Sequence, residues 1–129
     1  MAARRGMRQL MEVIDDAEVL QEWIDKSDDL VVVVDLFKDW CGYCSVMEPT
    51  YNTLFLDLDN FEERVKLLAI DSSKLTEEQL KIIPVNPGCK PSFVVFKHKV
   101  AIGKVQGANA PEVAMLVREN VFPVKPKDE

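Results

Sequence analysis

The sequence predicts an α/β domain in which a mixed central sheet of about five strands is flanked by four helices. Three observations carry this. Two runs rich in β-branched residues, Leu30–Phe37 and Val65–Asp71, show almost no polar alternation and read as strands buried on both faces, the usual state of parallel strands. Stretches with apolar residues at helical spacing lie before and after each run. Two more short apolar runs, Ser92–Phe96 and Val100–Val105, are joined through Lys97-His98-Lys99 as a hairpin would be.

In chain order, residues 1–6 form a loose basic lead-in, and Met7–Ile14 a short edge strand. Asp15 with Glu18 three places on is a helix-start signature. The helix it opens carries Val19, Leu20, Trp23 and Ile24 on one face and ends near Ser27–Asp29. The strand Leu30–Phe37 then runs into Trp40-Cys41-Gly42-Tyr43-Cys44, after which Met47, Tyr51, Leu54, Phe55 and Leu58 make a helical stripe. Pro49 falls inside that helix and should kink it, since it lacks a donor and crowds the preceding turn. Thr76 with Gln79 caps a further helix that ends at Ile83, before Pro84. Pro84, Pro87, Gly88 and Pro91 break residues 84–91 into a connection. Gly107 ends the second hairpin strand. Asn109, Pro111 and Glu112 open a last helix through Val113, Leu116 and Val117, and 123–129 form a polar tail. No internal repeat or linker divides residues 1–129, so one domain is expected.

Composition narrows the function classes. The 129 residues are 47% hydrophobic and 29% charged, which suits a domain with a real core. Sixteen basic against 22 acidic residues give a net charge of −6, and no basic stripe is interleaved with aromatics, which argues against nucleic-acid binding. No apolar stretch reaches signal-peptide or membrane-span form, so no membrane partner is expected. Three cysteines are too few and too odd a number for a secreted disulfide framework, and an intracellular, reduced location, cytoplasmic by default, follows.

The cysteine pair carries the chemistry. Cys41 and Cys44 sit where a buried strand hands over to a helix, and free backbone N–H groups and the helix dipole there favour an anion such as a thiolate. Thiolate Cys41 can attack a disulfide sulfur to give a mixed disulfide, which Cys44 then resolves. A zinc half-site is the competing reading, but only Cys89 and His98 could complete it, so no metal and no cofactor is expected. Cys89 reads as a small buried residue, although two places before Pro91 it could approach the pair. His98 reads as a solvated turn residue and Trp23 as core.

With those residues in view the chain resembles the thioredoxin family over nearly its whole length. The resemblance rests on Asp35 six places before Cys41, the Trp40–Cys44 motif, Pro49, Pro91 before a strand and Gly107 after the last strand. It implies the thioredoxin fold, with Cys41 attacking, Cys44 buried and resolving, and Asp35 exchanging protons with Cys44. It also implies that Pro91 is a cis-proline packed against the pair, beside a groove framed by Trp40, Gly42, Tyr43, Lys90 and Gly107. Lowering an attacking thiol's pKa from about 8.5 to about 7, as in thioredoxin itself, raises the thiolate fraction roughly 16-fold but costs roughly fivefold in nucleophilicity. The net gain of about threefold leaves most of the rate to geometry.

Three positions depart from the family pattern. Tyr43 stands where thioredoxins commonly have proline, and Lys90 where they offer an uncharged residue; Lys90 is either surface charge or a cation favouring the Cys41 thiolate. Leu67 stands where many place a lysine near the buried acid, and Lys66 should face away on its strand. Without that cation the Asp35 pKa should rise through desolvation. Gly88-Cys89-Lys90-Pro91 and Gln106-Gly107-Ala108-Asn109-Ala110-Pro111, with the basic lead-in, are similar to the thioredoxin-type light chains of axonemal outer-arm dynein. They are also similar to the first module of ciliary proteins that continue into nucleoside-diphosphate-kinase domains; a chain of one module favours the light-chain form. The resemblance implies a light-chain subunit in the axoneme of a cilium or flagellum, with a dynein heavy chain or other axonemal proteins as partners. The alternative is a free thiol–disulfide oxidoreductase recycled by thioredoxin reductase.

Overall fold

A computed structural model describes residues 10–37, 47–83, 92–107 and 109–124. Strands β1 (Met11–Ile14), β2 (Val31–Phe37), β3 (Val65–Asp71), β4 (Ser92–Lys97) and β5 (Val100–Gln106) form one sheet in the order β1-β3-β2-β4-β5. The two runs without alternation lie at its centre. β2 pairs parallel with β3, Val33 beside Leu67 and Asp35 beside Ala69, and antiparallel with β4, Asp35 beside Phe93. β1 is parallel to β3 and β5 antiparallel to β4, so the sheet is mixed as the sequence predicts.

Because side chains alternate along a strand, each central strand feeds two cores. Val31, Val33, Leu67, Ala69, Phe93 and Val95 share one layer with Met47, Tyr51 and Leu54 of the segment entering and forming α2 (Glu48–Asp57), and with Val113 and Val117 of α5 (Ala110–Asn120). Val32, Val34, Leu36, Leu68, Ile70, Val94 and Phe96 share the other with Leu20 and Ile24 of α1 (Ala17–Asp25), and with Ile83, which ends α4 (Glu77–Ile82). The helices close in accordingly. Gly103 of β5 lies so near Leu116 of α5 that a Cβ there would stand 2.6 Å from a leucine methyl.

The helix ends show which local signals act. Thr76 and Gln79 form a complete capping box on α4. Asn109 caps α5, accepting from the Glu112 amide, and Pro111 occupies its first turn. Two expectations need correction, and two further points concern the described start of a strand and a short additional helix. The cap of α1 is Asp16 rather than Asp15; its carboxylate accepts from the Glu18 amide at 2.8 Å, so Glu18 is the second helical residue and closes no box. Pro49 lies in the first turn of α2, where an amide has no helical acceptor to lose, and not in an interior that it would kink. Described strand β1 begins at Met11, and the 7–9 part of the expected strand lies outside the described residues. A fifth helix, α3 (Phe61–Arg64), is a single turn after Asn60, whose φ is +55°. It is too short to announce itself by periodicity.

The β4–β5 turn is tight and left-handed. His98 and Lys99 have φ of +55° and +65°, the signs a two-residue primed hairpin turn demands, and neither is glycine. Each such residue costs about 1–2 kcal/mol, so the turn is held from outside. The helical turn Lys26–Asp28 does this: His98 N–H donates to the Ser27 carbonyl at 2.7 Å, and Lys99 N–H to Ser27 Oγ at 2.7 Å. Buried Ser27 Oγ itself donates to the Ile24 carbonyl at 2.6 Å. Asp28 meets His98 Nδ1 at 3.3 Å and Lys99 Nζ at 3.5 Å. The His98 hydrogen bond foremost, with Lys99 close by, holds the Asp28 carboxyl below its usual range. Ser27→Ala strips two of these bonds at a buried position, and a loss of about 1–3 kcal/mol in denaturant unfolding is expected. Amide exchange at Lys99 should accelerate with it, and an unchanged midpoint would show that the bracing is idle.

Candidate functional site

The candidate site gathers at one end of the sheet. The parallel strands β2 and β3 both finish there at Phe37 and Asp71, β4 begins there at Ser92, and β5 ends there at Gln106. This is the carboxyl end of the parallel strands, where α/β sheets present their ligand crevices. Gly107 turns the chain at the rim with φ +78°, and the Asn109 N–H donates back to its carbonyl at 2.9 Å before α5 starts. A side chain at Gly107 would meet nothing within 4 Å, so glycine is required by the backbone angle rather than by crowding. Except for Ala108, which lies outside the described residues, the Gln106–Pro111 run is therefore a strand end, a left-handed turn and a helix cap.

Among the described residues, Asp35 is buried beneath the rim, where Asp71 and Ser92 are buried as well. It lies two places before the end of β2, on the layer it shares by alternation with Val33 and Val31, the layer that α2 covers. Only 2% of it is exposed. Its Oδ1 has no hydrogen-bond partner among the described residues. Burial alone pushes its carboxyl from the usual 3.8 up to about 7, because a carboxylate without water or a counter-charge is costly there.

That Leu67 rather than a lysine stands behind Asp35, as expected, follows from register. Leu67 is fully buried in the Asp35 layer, one pair along β3 from Ala69. Lys66 points to the opposite face, where Nζ bonds Glu12 Oε1 at 2.7 Å and lies 4.6 Å from the centre of the Trp23 ring. Trp23 is thus packed against the second core and carries two ammonium groups, Lys26 being the other at 4.5 Å. Shifting β3 by one residue would exchange Leu67 and Lys66; the sheet's two-residue period decides the matter.

Of the residues singled out from the sequence, the structure thus places Asp35 and Gly107 at this end of the sheet. Trp40, Cys41, Gly42, Tyr43, Cys44, Cys89, Lys90 and Pro91 lie outside the described residues, as do the 1–6 lead-in and residues 125–129. His98 is exposed, as expected of a turn, but sits at the other end of β4, braced by Asp28. Sequence reasoning missed the Ser27–Asp28 brace, since its partners lie about 70 residues on. Among the described residues no three His, Cys, Asp or Glu side chains gather as a metal site would require. No described helix is long and apolar enough to cross a membrane.

Comparison with known proteins adds to this geometry. The Thioredoxin family model matches residues 11–119. The chain is 27% identical over 110 residues to the dynein 14 kDa light chain of the flagellar outer arm of Chlamydomonas reinhardtii, covering 85% of this chain and 80% of that protein. It is 28% identical over 116 residues to thioredoxin of Callithrix jacchus, covering 87% of this chain and all (100%) of that one. Among solved structures, reduced Schistosoma mansoni thioredoxin pre-protein superposes with a TM-score of 0.61 at 26% identity, over 87% of this chain and 98% of that one.

Proposed function

The chain belongs to the thioredoxin family, and from that premise we propose that it is a light-chain subunit of axonemal outer-arm dynein with a redox-capable dithiol at Cys41 and Cys44. The observation that carries the redox part is Asp35: a carboxyl buried under the α2 layer, with no cation against it among the described residues and a pKa of about 7. Such a group both accepts and gives a proton near neutrality, which a structural acid does not need to do. The dynein part is supported by the likeness to the outer-arm light chain and by the Gln106–Pro111 run.

In this reading the Cys41 thiolate attacks one sulfur of a partner disulfide. That S–S bond breaks, a mixed disulfide forms, and the partner's other sulfur leaves as a thiolate that takes up a proton. Cys44 passes its proton to the Asp35 carboxylate and attacks the Cys41 sulfur. The partner's second thiol is released, and the chain is left with a Cys41–Cys44 disulfide. Two electrons have passed to the partner, and an external dithiol such as that of thioredoxin reductase restores the pair.

Two measurements on the full chain test the proposal. Tagged protein expressed in a flagellated cell should co-purify with a dynein heavy chain or another outer-arm component, to the same extent for Cys41→Ser as for the native chain. In parallel, reduction of a protein disulfide should be followed with thioredoxin reductase as electron source. Rapid recycling with no large stable partner would replace the subunit reading by that of a free oxidoreductase. Co-purification with no exchange at all would leave a docking module and remove the redox half.

A further inference from the structure

Charge along this chain is unevenly placed. All 22 acidic residues lie outside 84–111, a stretch that carries Lys90, Lys97, Lys99 and Lys104 and no carboxylate. The fold sets the last of these along one edge of the sheet. β5 is the terminal strand, paired only to β4 among the described residues; apart from an irregularity at Ile102, where the register shifts between Val95 and Phe96, one row of its backbone N–H and C=O groups faces away from the sheet. Val100 is 59% and Ile102 38% exposed, an unusual apolar display for an open strand. Lys99 is half-exposed at one end, and Lys104 is exposed and makes no ion pair among the described residues. Among the described residues, Asp28 reaches this stretch against His98 and Lys99, and Glu112 reaches it against Asn109 Nδ2 at 3.1 Å, at the far end from Lys99. The opposite edge differs: β1 carries Glu12 and is followed by Asp15, Asp16 and Glu18.

We propose that β5 is an interaction surface which takes an acidic, extended segment of a partner protein as a sixth strand. Backbone groups of the segment would pair with the open edge, apolar residues would cover Val100 and Ile102, and carboxylates would meet Lys99 and Lys104. The lysines make the edge selective. A second copy pairing β5 to β5 would gather Lys99 and Lys104 of both chains along one seam, and like charges facing across strands repel. The surface is the outer edge of β5, with β4 between it and the strand that carries Asp35, and it uses neither cysteine, so this inference does not depend on the dithiol chemistry.

The test is a titration of the full reduced chain with a fluorescein-labelled octapeptide of alternating valine and glutamate, and with its valine–lysine counterpart. The acidic peptide should bind, the basic one should not, and amide exchange should slow within Val100–Gln106. Lys104→Glu should weaken binding roughly fivefold, as should raised salt, with the far-UV spectrum unchanged. Three results would overturn the proposal: no binding of the acidic peptide, protection mapping to β1 or confined to the ends of β2 and β3 at Phe37 and Asp71, or binding without slowed β5 amides. Protection of β5 on raising protein concentration alone, with a dimer in sedimentation, would assign the edge to a second copy instead. Because neither peptide contains a disulfide, failure here leaves the redox proposal standing, and the reverse also holds.

Discussion

Asp35→Asn is expected to stabilise the fold by on the order of 4 kcal/mol at pH 7 and above, and by almost nothing below pH 4. The gap between 3.8 unfolded and about 7 folded sets the size, at about 1.36 kcal/mol per pH unit. The sign follows from proton binding. Between those two pH values the folded chain holds a proton on Asp35 that the unfolded chain has released, so native stability is intact below 3.8 and drains away as pH rises to about 7. Asparagine cannot ionise and escapes the loss. Its amide is as buried as the neutral acid, so the two proteins should agree at low pH. Urea unfolding of both, from pH 3 to pH 9, checks this. Parallel curves would mean that Asp35 is ionised and paired, and the role given to it would fall. The same variant should lose any inflection near pH 7 in the rate at which a mixed disulfide resolves.

Cys41→Ser should reduce disulfide-exchange turnover on the order of a thousandfold or more, because a serine hydroxyl forms no stable bond to a disulfide sulfur. Cys44→Ser should behave differently: attack still occurs, and the partner stays covalently bound through Cys41. Mass spectrometry of the trapped adduct against a non-reducing gel distinguishes the two variants. A Cys41→Ser protein that still traps partners would transfer the attacking role to another thiol, with Cys89 the first to examine. Equal activity in all three proteins would end the dithiol reading.

Much of this architecture was legible because burial on both faces erases alternation. The valines of β2 and the Val65–Ile70 run of β3 could be assigned as central strands before any pairing was known. Thr76 with Gln79 and Asn109 with Glu112 worked because a cap acts within three residues of itself. The same signature slipped by one at Asp15 and Asp16, where adjacent identical side chains compete for one helix start. Pro49 misled because proline inside a helix and proline at its start look alike until the first turn is located. The His98–Lys99 turn lacks the glycine or asparagine that announces a left-handed hairpin. Its conformation is decided by Ser27 and Asp28, and no local rule reaches that far. At the site, the offset of Asp35 from Cys41 and the leucine at 67 forecast a raised carboxyl, because strand register alone determines which of Leu67 and Lys66 shares its layer.

The braced hairpin turn also orders assembly. A peptide spanning only β4 and β5 would have to hold two L-residues in mirror-image backbone angles with nothing to reward it, so its ends would rarely meet. The reward comes from Ser27 and Asp28, which reach their places only once α1 has docked on β2. The β4–β5 hairpin is therefore expected to close after the Lys26–Asp28 turn is in place, and pulse-labelled amide exchange during refolding should protect β5 later than β2 and β3. Any strain that frees the Lys26–Asp28 turn should loosen β5 before it disturbs the parallel strands at the centre.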